Sequence, residues 1–356
     1  MVVNEKPDSM ERLFDVAVIA LALLLGTGCK NFNTLSNVGK KNAQGSPYEV
    51  LVVCAAPEWE GEVGQSLRPL LERPVAMLNQ SEPMFSVLRV TPNDFKNMLP
   101  AHRNIIEVVV SPEVTTPSAA VRYDVEAAPQ IIITLQGPTR QSLSDYIDTN
   151  GESLLYVLEM AERDRTIRFA ERHEAKTVSE AINNKFGIEM KVPQGYDLRN
   201  QSDNFVWASY EFPTASQGFF IYSYPYQGKG SLTASGLVHM RNLFASRIPG
   251  PSDGSYMTTV EQIPDAETGE YTSFEPEYRT IKIGDRPWIE MRGLWDVEND
   301  FMGGPFVSYT TIDELSGRVL TLDCYVYSPK LGKRNYLRAL EHLVYLIDFP
   351  SEHPER

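Results

Sequence analysis

The sequence is poor in the residues that metal and redox chemistry require. Among its 356 residues there are three cysteines and five histidines. Neither a Cys-x-x-Cys nor a His-Glu-x-x-His pattern occurs, and these are spacings that structural and catalytic zinc sites use. We therefore expect neither a bound metal nor a cofactor in this protein.

Basic residues are in the minority. Lys and Arg number 33 against 47 Asp and Glu, which gives a formal net charge of −14. Proteins that bind nucleic acid or anionic lipid headgroups need a basic face. The acidic balance therefore argues against both kinds of partner.

The sequence also lacks an apolar run long enough to cross a membrane. The run Val16–Leu25 has ten residues, whereas a spanning helix needs about 20. Gly26, Thr27, Gly28 and Cys29 follow at once, and a cysteine after small residues resembles a lipobox. We predict a lipoprotein signal peptide over residues 1–28 and lipidation of Cys29. A plain signal peptide or a short buried helix is the alternative, because the leader is not net positive.

The mature chain begins with a segment of little hydrophobic pattern. Residues 29–47 are rich in Asn, Gly, Lys and Ser and predict a flexible tether. Acyl chains on Cys29 would then be the contact with the membrane. Cys54 and Cys324 lie in predicted apolar strands of different halves, so we expect two buried free thiols, with a disulfide as the alternative.

The pattern of apolar residues predicts an α+β fold of two sheet-plus-helix domains joined by a long helical region. Residues 149–151 are expected to interrupt that region, and Thr177 with Glu180 predicts a capping box for its last helix. The predicted divisions are an N-terminal α/β domain (48–150), connecting helices (151–186), a mainly antiparallel C-terminal domain (187–350) and a tail (351–356).

One strand and the last helix are predicted to pack together. In the strand Arg318–Tyr327, the side chains of Leu320, Leu322, Cys324 and Val326 share one face. The predicted final helix, Asn335–Ile347, has its apolar residues at helical spacing.

The sharpest candidate for a site is Met302-Gly-Gly-Pro-Phe306. Gly303 and Gly304 would let backbone N–H groups approach an anion; the alternative is a hairpin connection in which glycine supplies a positive φ. Glu290, Arg292, Asp296 and Asp300 lie nearby in the sequence. They predict either an acid/base pair or, more simply, the solvated face of an antiparallel strand.

A second group of candidate ligand contacts lies in the first half of the chain. Glu82 and the run His102-Arg103-Asn104 bracket a predicted strand and a short helix. Glu82 is expected to pair with Arg103 as a structural clamp, with ligand binding as the alternative. The tyrosines of the second half raise a further hypothesis, an aromatic sheet face that binds a glycan or peptide.

Several motifs together resemble one family. They are Trp59 with Gly61 and Gly64, Ser81-Glu-Pro-Met-Phe, His102-Arg-Asn-Ile-Ile, Met302-Gly-Gly-Pro-Phe, and Tyr327-Ser-Pro-Lys with Lys333-Arg-Asn-Tyr-Leu-Arg. From about Tyr48 onward the chain resembles the Bacteroidetes lipoproteins with the domain of unknown function 4837. That resemblance implies a cell-envelope address and a fold but no reaction. Separately, residues 185–196 resemble the opening of PsbP-like domains.

These observations favour a non-enzymatic, lipid-anchored envelope protein that binds or scaffolds an envelope protein, a peptide or a glycan. The residues after Cys29 lack the acidic cluster that resembles a surface-export signal, so we expect an outer-membrane, periplasm-facing location. The alternative is an envelope hydrolase that uses Glu290, Asp296 or Asp300 beside the Met302–Phe306 loop.

Overall fold

The computed structural model describes residues 40–98, 100–265 and 267–350. The predicted signal peptide, Cys29, the tether up to residue 39 and the tail 351–356 lie outside the described residues. The chain forms two compact units. The first unit comprises the chain up to Leu71 together with Val87–Ala161, and the second unit comprises Glu72–Ser86 and the chain from Glu162 onward.

The first unit is built on a five-stranded sheet in the order β3-β2-β4-β7-β5. Its elements are β1 (Lys41–Asn42), β2 (Glu49–Val53), α1 (Ala56–Glu60), α2 (Glu62–Leu71), β3 (Ser86–Val90), α3 (Pro92–Met98), β4 (Asn104–Val110), β5 (Ser118–Tyr123), β6 (Ala127–Ala128), β7 (Ile131–Gly137) and the part of α4 (Arg140–Arg172) up to Ala161. Strands β2, β4 and β7 run parallel, and β5 is an antiparallel edge strand. Leu51, Ile105 and Ile132 form part of the core on this sheet.

Part of the predicted tether is ordered in this unit. Lys41–Asn42 pairs in parallel with Ala127–Ala128. The Gln44 N–H donates to Ala101 O at 2.9 Å, and its carbonyl accepts from Arg103 N–H at 2.8 Å. Residues 40–47 are therefore bound to the first unit, because a polar segment without apolar pattern can still form backbone hydrogen bonds.

Helix α4 runs without the predicted interruption at residues 149–151. Thr149 Oγ1 donates to Asp145 O at 2.8 Å and Asn150 Nδ2 to Tyr146 O at 2.9 Å, so both side chains bond to the helix itself. A side chain at position 151 would lie 3.0 Å from Leu70 Cδ1, so Gly151 permits close packing. The three residues that suggested a break therefore lie within a continuous helix.

The second unit is dominated by an antiparallel sheet of eight strands. The path β12-β16-β17-β18-β11-β10-β9 is continuous, and β15 also pairs with β16. After α4 its elements are α5 (Lys176–Phe186), β8 (Glu189–Met190), β9 (Asp197–Ser202), β10 (Phe205–Glu211), β11 (Ser216–Pro225), α6 (Ala234–Ala245), β12 (Tyr256–Thr259), β13 (Gln262–Pro264), β14 (Tyr271–Ser273), β15 (Glu277–Ile283), β16 (Arg286–Glu298), β17 (Gly303–Asp313), β18 (Arg318–Tyr327), α7 (Arg334–Glu341) and β19 (Ile347–Asp348).

Both faces of this sheet are covered. On one face, the alternate residues Leu320, Leu322, Cys324 and Val326 of β18 pack with α5 and α7, as the sequence predicts. On the other face, Phe220, Trp295 and Phe306 pack with Leu237 and Phe244 of α6. The mixed α+β class and the antiparallel second domain are confirmed.

One local prediction about a helix of the second unit is wrong. Helix α5 begins after Ala175, and no side-chain cap is formed, so Thr177 is not its N-cap. The helix ends at Gly187, which has a φ of 62°. In α4, Glu162 is buried and pairs with Arg165 at 2.9 Å, so its buried charge has a partner.

Candidate functional site

The Met302–Phe306 motif forms part of a hairpin between β16 and β17. Gly303 and Gly304 are not in the turn but in β17, opposite Asp296 and Trp295. The residue with a positive φ is Asn299, at 65°. A Cβ on Gly304 would lie 2.0 Å from the Val326 carbonyl oxygen, so glycine is required by the close approach of a backbone. The predicted hairpin is confirmed, but the prediction that its glycines supply the positive φ is wrong.

This hairpin borders a cavity of about 530 Å³ in the second unit. The wall is largely aromatic and apolar, and it is formed by residues of β10, β11, β12, β16 and β18 together with the loops beside them. Its side chains include Trp207, Phe212, Met257, Trp295, Met302 and Tyr325. A concave, mainly apolar site of this size with few polar groups is typical of small-molecule binding.

Two aromatic residues of this wall carry buried polar atoms. Trp207 Nε1–H donates to the Tyr325 hydroxyl oxygen at 2.8 Å. The buried Trp295 Nε1 has no hydrogen-bond partner among the described residues. Trp295 lies edge-on to Tyr325, with ring centroids 5.5 Å apart. Burial raises the pKa of Tyr325 above its usual value, so this hydroxyl keeps its proton.

The charged groups on the cavity wall are Glu211 and Lys330, which have opposite signs. Glu211 accepts hydrogen bonds from Ser209 Oγ at 2.7 Å and Ser216 Oγ at 3.0 Å. The cavity therefore offers hydrogen-bond donors and aromatic surface but no excess charge.

The sequence suggested a solvated strand face for Glu290 and Arg292, but the structure shows otherwise. Both are buried. Arg292 lies between two carboxylates, 2.8 Å from Glu290 and 2.6 Å from Glu341 of α7. Burial favours a raised pKa for Glu341, but Arg292 and Arg338 outweigh it and hold that pKa below its usual value. This network joins β16 to the helix that covers it.

Asp296 and Asp300 do not join this network. Asp296 is exposed, and strand alternation directs it away from the cavity that its neighbours Trp295 and Val297 line. Desolvation and the carboxylate of Glu298 raise its pKa. Asp300 follows in the hairpin, where hydrogen bonds from Ser252 and the Phe301 N–H lower its pKa. The structure thus separates the carboxylates that a hydrolase would have to combine.

The sequence also contains the pattern Gly250-Pro-Ser-Asp-Gly254, in which Ser252 is the central residue. The spacing matches the GxSxG of hydrolase nucleophile elbows, which connect a strand to a following helix. Here the segment follows helix α6 and precedes strand β12. Ser252 Oγ donates to Asp300, so its hydroxyl is held by an exposed carboxylate in a turn. The local structure does not fit a nucleophile elbow.

Glu82 lies at the start of α7, and its predicted pair with Arg103 stays a prediction. Its carboxylate accepts from the backbone N–H groups of Lys333 at 2.6 Å and Arg334 at 3.2 Å, at the start of α7. Arg334 Nη1 in turn donates to Pro83 O at 2.8 Å. By capping α7, Glu82 therefore joins the segment Glu72–Ser86 to the rest of the second unit.

His102 and Arg103 lie in the first unit. His102 is buried, with Nε2 at 2.8 Å from Glu49 Oε1 and Nδ1 at 3.0 Å from Asn104 O. A Cβ on Gly45 would lie 2.5 Å from His102 Nε2, so the ring packs against that glycine. These contacts fit a structural clamp between residues 45–49 and β4.

Sequence reasoning missed the most buried ion pair of the second unit. Arg241 of α6 and Asp323 of β18 are both fully buried, with Nε and Oδ2 2.9 Å apart. Arg241 also donates to Thr259 Oγ1 at 2.9 Å and lies 3.6 Å from the centroid of the Phe306 ring. An arginine in a helix and an aspartate in an apolar strand carry no spacing signal that connects them.

Two family models match the chain. Residues 175–345 match the domain of unknown function DUF4837, and residues 43–171 match a second domain of unknown function, DUF8532. The second unit carries a DUF4837 domain. The expected match to DUF4837 is thus confirmed for residues 175–345, while residues 43–171 match a different model.

The comparison with solved structures adds little. A point mutant of the protein Mog1 is 12% identical, covers 46% of this chain and 90% of its own, and has a TM-score of 0.27. The human StarD13 (DLC2) lipid transfer and protein localization domain is 10% identical, covers 47% and 95%, and has a TM-score of 0.23. Neither likeness supports an argument about fold or function. Among the curated proteins no match was found.

Other predicted features have simple structural roles. Among the tyrosines of the second-half strands, Tyr222, Tyr224, Tyr325 and Tyr327 lie on the sheet face that packs with α6, and Tyr309 lies on the opposite face. Cys54 and Cys324 are free and buried. Within the described ranges no group of His, Cys, Asp and Glu is arranged to hold a metal. No helix in that part of the chain is both long and apolar enough to span a membrane.

Proposed function

We propose that this chain is a lipid-anchored, non-enzymatic binding protein of the cell envelope whose DUF4837 domain holds a ligand in its aromatic cavity. The observation that carries the proposal is the cavity itself, about 530 Å³ in volume and lined by aromatic and apolar side chains with a few polar ones. Concave sites of this size and composition are the usual places for small molecules to bind.

Binding is favoured over hydrolysis by the state of the acidic residues. Glu290 contacts Arg279 and Arg292 at 3.0 and 2.8 Å. Both carboxylate oxygens of Glu290 accept hydrogen bonds from these arginines, so the group is engaged in ion pairs within the fold. Asp296 has a raised pKa, but it points away from the cavity. Alanine at Glu290 and Asp300 would abolish any glycan- or peptide-cleaving activity if the hydrolase alternative held.

The experiment for the cavity is the binding of a neutral dye. We expect Nile red to bind the wild-type protein saturably, with enhanced and blue-shifted emission. Thr214 is an exposed residue on the cavity wall, so Thr214→Trp should block the cavity and weaken binding at least about tenfold. Thr280→Trp, at an exposed position of β15, is the matched control and should bind as the wild type does. Equal binding by both variants, or no saturable binding, would refute the cavity as a ligand site.

The lipid anchor is tested separately because it depends on Cys29 alone. We expect metabolic incorporation of a fatty-acid analogue into the wild type and none into Cys29→Ser. Label retained in the variant, or an unlabelled wild type, would contradict the anchor and leave the cavity proposal standing. A membrane-bound, periplasm-facing position is part of the same proposal and follows from the sequence after Cys29.

A further inference from the structure

The buried part of the cavity wall, here called the floor, is mainly apolar. It belongs to the core on the α6 face of the sheet and includes Ile248, Met257 and Trp295. Ser216 is a buried polar residue of the same wall, but its hydroxyl donates to Glu211 at 3.0 Å and is thus bonded within the fold. Removal of apolar surface from water is therefore the main contribution that the floor makes to binding.

The exposed part of the wall, here called the rim, is polar and carries one charge of each sign. Its exposed residues are Glu211, Pro213, Thr214, Pro249, Pro329 and Lys330. The side chain of Glu211 is 53% exposed, and the hydrogen bonds from Ser209 and Ser216 both go to its Oε1. A carboxylate and an ammonium group are therefore accessible at the rim.

The two charges of the rim favour a dipolar head group. A head group that carries both a cation and an anion can place the cation near Glu211 and the anion near Lys330. A head group with a single charge gains one of these contacts and meets a like charge at the other. At the exposed rim a charged head group also stays in water, so its charges avoid the large cost of burial.

We infer that the cavity takes a single amphiphile molecule, with its apolar body on the floor and its zwitterionic head group at Glu211 and Lys330 on the rim. This inference rests on the proposed function, since it names the class of ligand for the same cavity. The volume of about 530 Å³ is that of a small-molecule site, so the apolar body is one chain or a small ring system.

The test uses three probes with the same decyl chain, each below its critical micelle concentration. They are decylphosphocholine, which is zwitterionic, decyl sulfate and decyltrimethylammonium. Dissociation constants are measured by displacement of Nile red from the wild type, Glu211→Gln and Lys330→Gln. Each variant removes one charge and keeps a polar side chain. Exposed charge pairs are weak, so we expect each charge to change the affinity about two- to fivefold.

The direction of the change should differ between the probes. Glu211→Gln should weaken the zwitterionic and cationic probes and strengthen the anionic one. Lys330→Gln should weaken the zwitterionic and anionic probes and strengthen the cationic one. The matched controls, Glu180→Gln and Lys191→Gln, alter exposed residues in and after elements on the opposite face of the sheet and should change none of the three.

Unchanged affinity for Nile red shows that each variant is folded. If Nile red binds but no probe displaces it, or if all three probes change in the same direction or as little as in the controls, the inference about the head group is overturned. The cavity then remains a binding site. If Nile red does not bind the wild type saturably, the proposed function itself fails.

Discussion

Replacing Arg241 by methionine should destabilise the DUF4837 domain in a way that depends on pH. Arg241 and Asp323 are fully buried, so the substitution leaves a carboxylate without its counter-charge. Breaking a buried ion pair in this way costs about 3–5 kcal/mol. Methionine is apolar and of similar length, so most of the expected loss reports on the charge and not on packing.

The sign of the pH dependence follows from Asp323. Burial raises its pKa to about 6, although Arg241 opposes the effect. This value lies above that of an unfolded chain, so the native state binds more protons and stability falls as pH rises toward 6. Between pH 5.5 and 7.5 the wild type should lose about 1 kcal/mol by this route. Without Arg241 the pKa rises further, and the loss grows toward its maximum for one proton over two pH units, about 2.7 kcal/mol.

The measurement is the free energy of unfolding in urea at pH 5.5 and 7.5, followed by tryptophan fluorescence. A Trp59→Phe background confines the signal to Trp207, Trp288 and Trp295 of the second unit. We expect the penalty of Arg241→Met to be about 2 kcal/mol larger at pH 7.5 than at pH 5.5. Asp323→Asn in the same chain should remove this difference. A penalty below about 1 kcal/mol at pH 7.5, or an equal penalty at both pH values, would refute the reasoning.

Two further substitutions test local features of the same unit by urea unfolding. Glu82→Ala removes the carboxylate that accepts from the Lys333 and Arg334 N–H groups, and it should lower the free energy of unfolding by about 1–2 kcal/mol. The control Glu72→Ala, at an exposed position, should lower it by less than about 0.5 kcal/mol. Equal effects would show that Glu82 does not cap α7. Gly304→Ala places a Cβ 2.0 Å from the Val326 carbonyl oxygen and should lower the free energy of unfolding by at least about 2 kcal/mol. The control Gly230→Ala, whose Cβ would meet no atom within 4 Å, should change it by no more than about 1 kcal/mol. A Gly304→Ala variant as stable as the wild type would contradict the close approach of the strands.

The fold class could be predicted from sequence because its signal is periodic. Alternation along β18 and helical spacing along α7 placed both elements and the faces that meet. Strand β5 escaped prediction because its Ser, Ala and Arg residues form a half-exposed edge with little apolar pattern. The uninterrupted α4 escaped because Thr149 and Asn150 bond within the helix, which their residue types alone do not indicate.

The candidate site was predicted only in outline. The Met302–Phe306 motif does border the cavity, but the aromatic wall residues Trp295 and Tyr325 come from β16 and β18, which lie on either side of β17. Glu290 and Arg292 looked like surface residues because their partner Glu341 lies 49 residues from Arg292 in the sequence. Long-range partners of this kind leave no trace in local spacing, so burial and charge pairing required the structure.

The most direct test of the binding cavity is the response of the four tryptophan indole N–H groups to a bound ligand. In ¹⁵N-tryptophan-labelled protein, each indole resonance is assigned by its Trp→Phe variant. On titration with Nile red we predict saturable shifts for Trp207 and Trp295, because both side chains line the cavity. Trp59, in the first unit, and Trp288, on the opposite face of the sheet, should not move. Binding that shifts Trp288 or Trp59 and leaves Trp295 unchanged would contradict the cavity as the site.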